Sequence, residues 1–91
     1  MTLISLTGAL AAFLTTAAFV PQAYKTIRYR ATDDLSLATF SMLLIGTILW
    51  LVYGYYIGDL PLMVANGITA SLAGLIFLLK VRSMRTARLR R

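Results

Sequence analysis

Trp50 and Asn66 are the side chains of this sequence best suited to holding a solute, because both lie well inside stretches that are otherwise apolar. An indole offers a flat apolar face for a hydroxylated ring and an N–H in need of an acceptor. A carboxamide both donates and accepts, which matches hydroxyl groups. The two residues sit eight positions either side of residue 58. At 1.5 Å per helical residue each lies roughly 12 Å from that point, so a hairpin turning at residue 58 sets them level with each other. A competing account of the same residues has Asn66 bonded to a neighbouring helix and Trp50 filling space.

Helical steps from Trp50 put Thr39, Leu43, Gly46, Tyr53 and Ile57 on its face, small residues at mid-depth and bulkier ones towards the ends. This is the outline of a cavity with a constriction above and below, although a routine packing face has the same spacing. Other chemistry is scarce. The chain has no cysteine and no histidine, and its acids, Asp33, Asp34 and Asp59, all lie outside the apolar stretches. These absences remove most routes to nucleophilic or metal catalysis, so neither an enzyme, a metal nor a cofactor is expected. Ion-coupled pumps place charged groups inside the membrane. None is available here, which favours downhill movement of a neutral solute.

The elements that must position these residues are three charge-free stretches, residues 1–24, 35–58 and 60–79. A helix of about 20 apolar residues crosses a bilayer, and a chain of 91 residues that is 59% hydrophobic has no interior large enough to hide that surface. The expected class is an all-α membrane protein with a single three-helix unit over residues 1–91. Its helices are placed at about 2–24, 35–58 and 60–80, followed by a basic tail, 81–91. No basic residue precedes the first stretch, which is also too long for the core of a signal peptide, so it is read as a permanent helix.

Charge placement sets the orientation. Lys25, Arg28 and Arg30 follow the first helix; Lys80, Arg82, Arg85, Arg88, Arg90 and Arg91 follow the third. The positive-inside rule puts both groups in the cytoplasm, with the N-terminus and the turn at 58–59 outside. The net charge of +6 thus serves topology and attraction to anionic lipid, and no nucleic-acid partner is expected. Thr32, Asp33 or Asp34 is placed to cap helix 2, Gly58 to end it in a left-handed conformation, and Asp59 to cap helix 3, with Pro61 tolerated in its first turn. So short a turn makes helices 2 and 3 antiparallel neighbours. Pro21 cannot donate to the Ala17 carbonyl, so helix 1 should weaken or kink there, and Gln22 beside it can satisfy a freed group. Small residues recur at four-residue spacing (Gly8 and Ala12, Ala11 and Thr15, Gly67 and Ser71, Ala70 and Gly74), which permits close helix approach within a bundle or between copies. Three helices packed on one another leave no path between them, and a second copy is the simplest remedy.

The run from Thr15 to Gln22, with its Pro21-Gln22 pair, resembles the motif of the PQ-loop families. Asp34-Leu35-Ser36, Trp50 with Tyr53-Gly54, and Asp59 followed by Asn66 extend the likeness along the whole chain, which resembles the bacterial SemiSWEET sugar transporters. That resemblance implies a bundle with helix 3 between helices 1 and 2, paired in parallel with an identical chain. It implies substrate binding by Trp50 and Asn66 of both chains, a hinge at Pro21 and Gln22, an outer gate at Tyr53 and Asp59, and an inner gate at Thr39 and Leu43. Some relatives carry a basic residue where this chain has Ile57, so an ionic outer latch to Asp59 is absent and closure falls to Tyr53 and hydrogen bonds. Thr39 is smaller than the bulky residue expected at the inner gate. The function implied is facilitative transport of a mono- or disaccharide across the bacterial inner membrane by alternating access. The alternatives are another small solute, such as an amino acid, and a non-transporting membrane subunit.

Overall fold

The chain folds into three helices, α1 (Leu3–Tyr29), α2 (Leu37–Ile57) and α3 (Leu60–Leu89), in a computed structural model that describes residues 2–90. Each helix is long and apolar enough to span a bilayer. Met1 and Arg91, the ends of the expected unit and tail, lie outside the described residues.

Every helix begins on a side-chain cap, because the first turn of a helix has amides without partners. At α1 the Thr2 hydroxyl accepts from the Ser5 N–H while the Ser5 hydroxyl accepts from the Thr2 N–H, both at 3.0 Å. The start of α2 is a correction to the sequence reading. The cap is Ser36, whose hydroxyl accepts from the Thr39 N–H at 3.2 Å; it is not Thr32, Asp33 or Asp34, and the helix begins at Leu37 rather than Leu35. The reason lies in the connector, where the Leu35 N–H donates to the Thr32 carbonyl at 3.1 Å and closes a turn that takes up the two aspartates.

The α2–α3 turn follows the expectation. Gly58 adopts φ 70°, and its N–H donates to the Tyr55 carbonyl at 3.2 Å while the Asp59 N–H donates to the Gly54 carbonyl at 2.9 Å. This paired closure satisfies the last carbonyls of α2 in a left-handed conformation that costs glycine little. Asp59 Oδ1 then accepts from the Leu62 N–H at 3.1 Å, and Pro61 occupies the first turn of α3.

Two helix ends extend beyond the sequence reading. α1 continues through Pro21 and past Lys25 to Tyr29, closing on Arg30 at φ 51°. The Arg30 and Ala31 N–H groups donate to the Ile27 and Thr26 carbonyls. The proline removes one bond from the ladder, and the helix-forming residues after it carry the helix on. α3 runs to Leu89, so residues 81–89 of the expected tail are helix. Its 30 residues span about 45 Å, roughly 15 Å more than the hydrocarbon layer, and the excess carries the arginines.

α3 packs against both α1 and α2, and α1 and α2 do not pack on each other among the described residues. The buried set is small: Ala23 on α1, Thr47 and Gly54 on α2, Ala73 and Ile76 on α3. Gly54 lets α3 come close, since a Cβ there would meet Met63 Cγ at 3.1 Å. At the basic end Lys80 joins α3 to the connector, its Nζ donating to the Thr32 carbonyl at 2.8 Å and to the Asp33 carbonyl at 3.2 Å. Thr32 is 1% exposed, so this contact seals a buried corner.

A cation bonded to two carbonyls just beyond a helix end combines charge-assisted hydrogen bonds with the dipole of α1. Lys80→Met should therefore lower stability by about 1–2 kcal/mol and expose the connector to limited proteolysis. Arg85→Gln, which removes a charge without that contact, should leave both readouts close to wild type.

Candidate functional site

On α2, Trp50 and Tyr53 stand one turn apart with ring centroids 5.7 Å apart and planes at 80°, an edge-to-face pair. Together with Gly46 and Leu49 they line an open groove. Trp50 is 54% exposed and Tyr53 53%, so neither ring fills space inside the bundle, and the chain provides at most one wall of an enclosed site. The groove has its depth from Gly46, where an added Cβ would meet nothing within 4 Å.

Asn66 is half-buried on α3. Its Nδ2 donates to the Leu62 carbonyl of its own helix at 2.9 Å, so the partner is not a neighbouring helix. Its Oδ1 accepts nothing among the described residues, yet no buried side-chain oxygen or nitrogen is left unpaired. The oxygen therefore keeps contact with the surroundings and can accept from a hydroxyl. No hydrogen bond joins Asn66 to Trp50 or Tyr53 among the described residues. The fold brings Trp50 and Tyr53 together and leaves Asn66 as a separate polar point.

The remaining residues singled out in the sequence fall at the ends of the bundle. Asp59 serves as the cap of α3, through the 3.1 Å bond from the Leu62 N–H. Ile57 is exposed on the last turn of α2. At the other end Thr39 is exposed in the first turn of α2, with its N–H given to Ser36, and Leu43 one turn later is half-buried. Pro21 and Gln22 are exposed immediately before Ala23, which is 1% exposed. The Gln22 side chain makes no hydrogen bond among the described residues, while its carbonyl accepts from the Thr26 hydroxyl at 2.9 Å. A second groove, between α1 and α3, is lined by alanines, Phe13, Pro61, Val64 and Ile68 with Thr16 as its one hydroxyl, a poor match for a polar solute. Lys80 was legible only as a member of the basic cluster; its position directly after the last charge-free stretch is the one sequence feature that sets it apart.

The profile of the PQ loop repeat matches residues 3–63, and a sugar transporter SemiSWEET of Bradyrhizobium diazoefficiens is 44% identical over 80 residues, covering 88% of this chain and 93% of that one. The chain belongs to the SemiSWEET branch of the PQ-loop family. Another sugar transporter SemiSWEET, from Escherichia coli, is 41% identical over 85 residues and covers 93% of this chain and 96% of its own. A crystal structure of SemiSWEET in the inward-open conformation superposes with a TM-score of 0.89 at 39% identity, over 98% of this chain and 96% of that one. SemiSWEET relatives of this similarity are transporters rather than enzymes, in keeping with the lack of catalytic groups. Family membership and three apolar helices together make this a membrane protein.

Filling the groove tests its use. Gly46→Leu should preserve the helical circular-dichroism spectrum, because the added side chain meets open space and glycine is a poor helix residue. The same variant should lose most exchange of a labelled solute in liposomes. Unchanged exchange would remove the groove from the solute path.

Proposed function

We propose that this protein is an uncoupled sugar transporter working as a parallel homodimer in the bacterial inner membrane, N-terminus outside and C-terminus cytoplasmic. The observation that carries this reading is similarity along nearly the whole chain to two proteins named sugar transporter SemiSWEET. The half-exposed rings of Trp50 and Tyr53 support it, since a site with one wall per protomer is completed by a second copy related by an axis along the membrane normal.

In this reading the substrate lies between two Trp50 indoles and two Asn66 amides. The indoles stack on the apolar faces of the sugar, and each Asn66 Oδ1, which has no protein partner among the described residues, accepts from a hydroxyl. Pro21, which leaves the Ala17 carbonyl without its usual donor, and Gln22, with its unengaged side chain, form the hinge about which α1 bends. Tyr53 and the Asp59 turn close the outer side, and Thr39 and Leu43 the inner side. A site that opens to one face at a time lets sugar run down its gradient. No charged group lies in residues 35–58 or 60–79 to couple that movement to an ion.

Purified protein in liposomes should exchange labelled glucose or sucrose by counterflow at the same rate with and without a proton gradient. Asn66→Ala should abolish that exchange while the dimer persists in cross-linking. Exchange at the wild-type rate in the variant would overturn the pocket assignment, and no exchange of either sugar by folded, dimeric protein would overturn the sugar reading.

A further inference from the structure

The basic end of the bundle holds a polar cleft that the transport site does not use. Arg30 and Thr32 of the connector form one wall; Leu79, Arg82, Ser83 and Thr86 of α3 form the other, enclosing about 210 Å³. The 2.8 Å bond from Lys80 Nζ to the Thr32 carbonyl holds the two walls together, so the cleft is a product of the fold rather than of two mobile side chains. Arg30 is further fixed by its role as the left-handed cap of α1.

The chemistry of the walls is one-sided. Two arginines and three hydroxyl-bearing residues line it, and among the described residues neither arginine side chain donates a hydrogen bond to the protein. The nearby acids lie in the connector: Asp33 offers Lys80 its backbone carbonyl, and Asp34 is exposed. The forked N–H donors of a guanidinium match the oxygens of a phosphate, and hydroxyls can complete its shell. The position agrees, because Arg82 comes three residues after the last charge-free stretch, 60–79, near where a spanning helix leaves the hydrocarbon layer and meets phosphates.

We infer that the cleft between Arg30 and Arg82 is a binding site for a phosphate group, presented by an anionic lipid headgroup or as free phosphate. Occupancy ties the α1–α2 connector to α3 from a second side, beside Lys80, and stiffens the basic end of the bundle. The inference is independent of which solute is carried.

Thermal unfolding in a neutral detergent tests it, with short-chain phosphatidylglycerol, short-chain phosphatidylcholine or inorganic phosphate titrated into wild type, R30Q/R82Q and R88Q/R90Q. The last variant removes the same charge beyond the cleft. Wild type should be stabilised by phosphatidylglycerol and not by phosphatidylcholine, and R30Q/R82Q should need about tenfold more of it, while R88Q/R90Q stays within about twofold. Stabilisation by inorganic phosphate with the same dependence on Arg30 and Arg82 identifies free phosphate as the ligand; stabilisation by the lipid alone identifies the headgroup. Equal losses in both double variants, equal effects of the two lipids, or no stabilisation by any ligand would overturn the site. If R30Q/R82Q fails to fold by circular dichroism, R82Q alone, altered only on the surface of α3, replaces it with the same criteria.

Discussion

Close approach of α3 to both of its neighbours is the constraint on which the bundle depends. α1 and α2 have no packing of their own among the described residues, so tertiary structure passes through the central helix. Small residues allow the contacts: Ala73 is buried on α3 along with the larger Ile76, Gly74 lies where a Cβ would touch Leu44 at 3.7 Å, and Gly54 admits Met63 and Leu62. In lipid, burying apolar area gains little, because acyl chains are as apolar as leucine, and association rests on packing and hydrogen bonds. Large residues such as Phe13, Leu49 and Tyr56 can therefore remain exposed on the bundle without penalty.

The second demand of the bilayer is that polar groups find partners locally. The hydroxyls of Thr7, Thr15, Ser41 and Ser71 each donate to the carbonyl four residues earlier, at 2.7–2.9 Å. Asn66 does the same with its amide nitrogen. The donor is thus satisfied without another helix, and the acceptor end stays available. Trp50 presents an exposed ring face and Asn66 a free oxygen, and neither is consumed in holding the bundle together.

How much of this was legible in the sequence depended on whether a feature is set along the chain or around a helix. Charge-free lengths and the Gly58-Asp59-Pro61 turn are local, and the three helices and the α2–α3 hairpin follow from them. The extension of α1 to Tyr29 and the cap at Ser36 were missed because Lys25 to Tyr29 are adequate helix formers once out of the membrane, and because three candidate caps precede Ser36. Placing Trp50 and Asn66 eight residues either side of Gly58 is simple counting. Their directions around α2 and α3 are not, since a helical face can be listed without knowing which neighbour it meets. Lys80 shows the same limit: its partners are backbone carbonyls 47 and 48 residues away, which no local pattern encodes.

The two joints of the chain differ in slack. Between α2 and α3 stand Gly58 and Asp59 alone, both bonded into the adjoining helices, so that hairpin is a stiff corner. The other joint has seven residues, 30–36, and links two helices that both pack on α3 and not on each other among the described residues. Part of it is folded into the Thr32–Leu35 turn and moored by one lysine. Mechanically, the α2–α3 corner has no slack to give, so any change in the angle between α1 and the hairpin has to be taken up by the Thr32–Leu35 turn and its single lysine mooring.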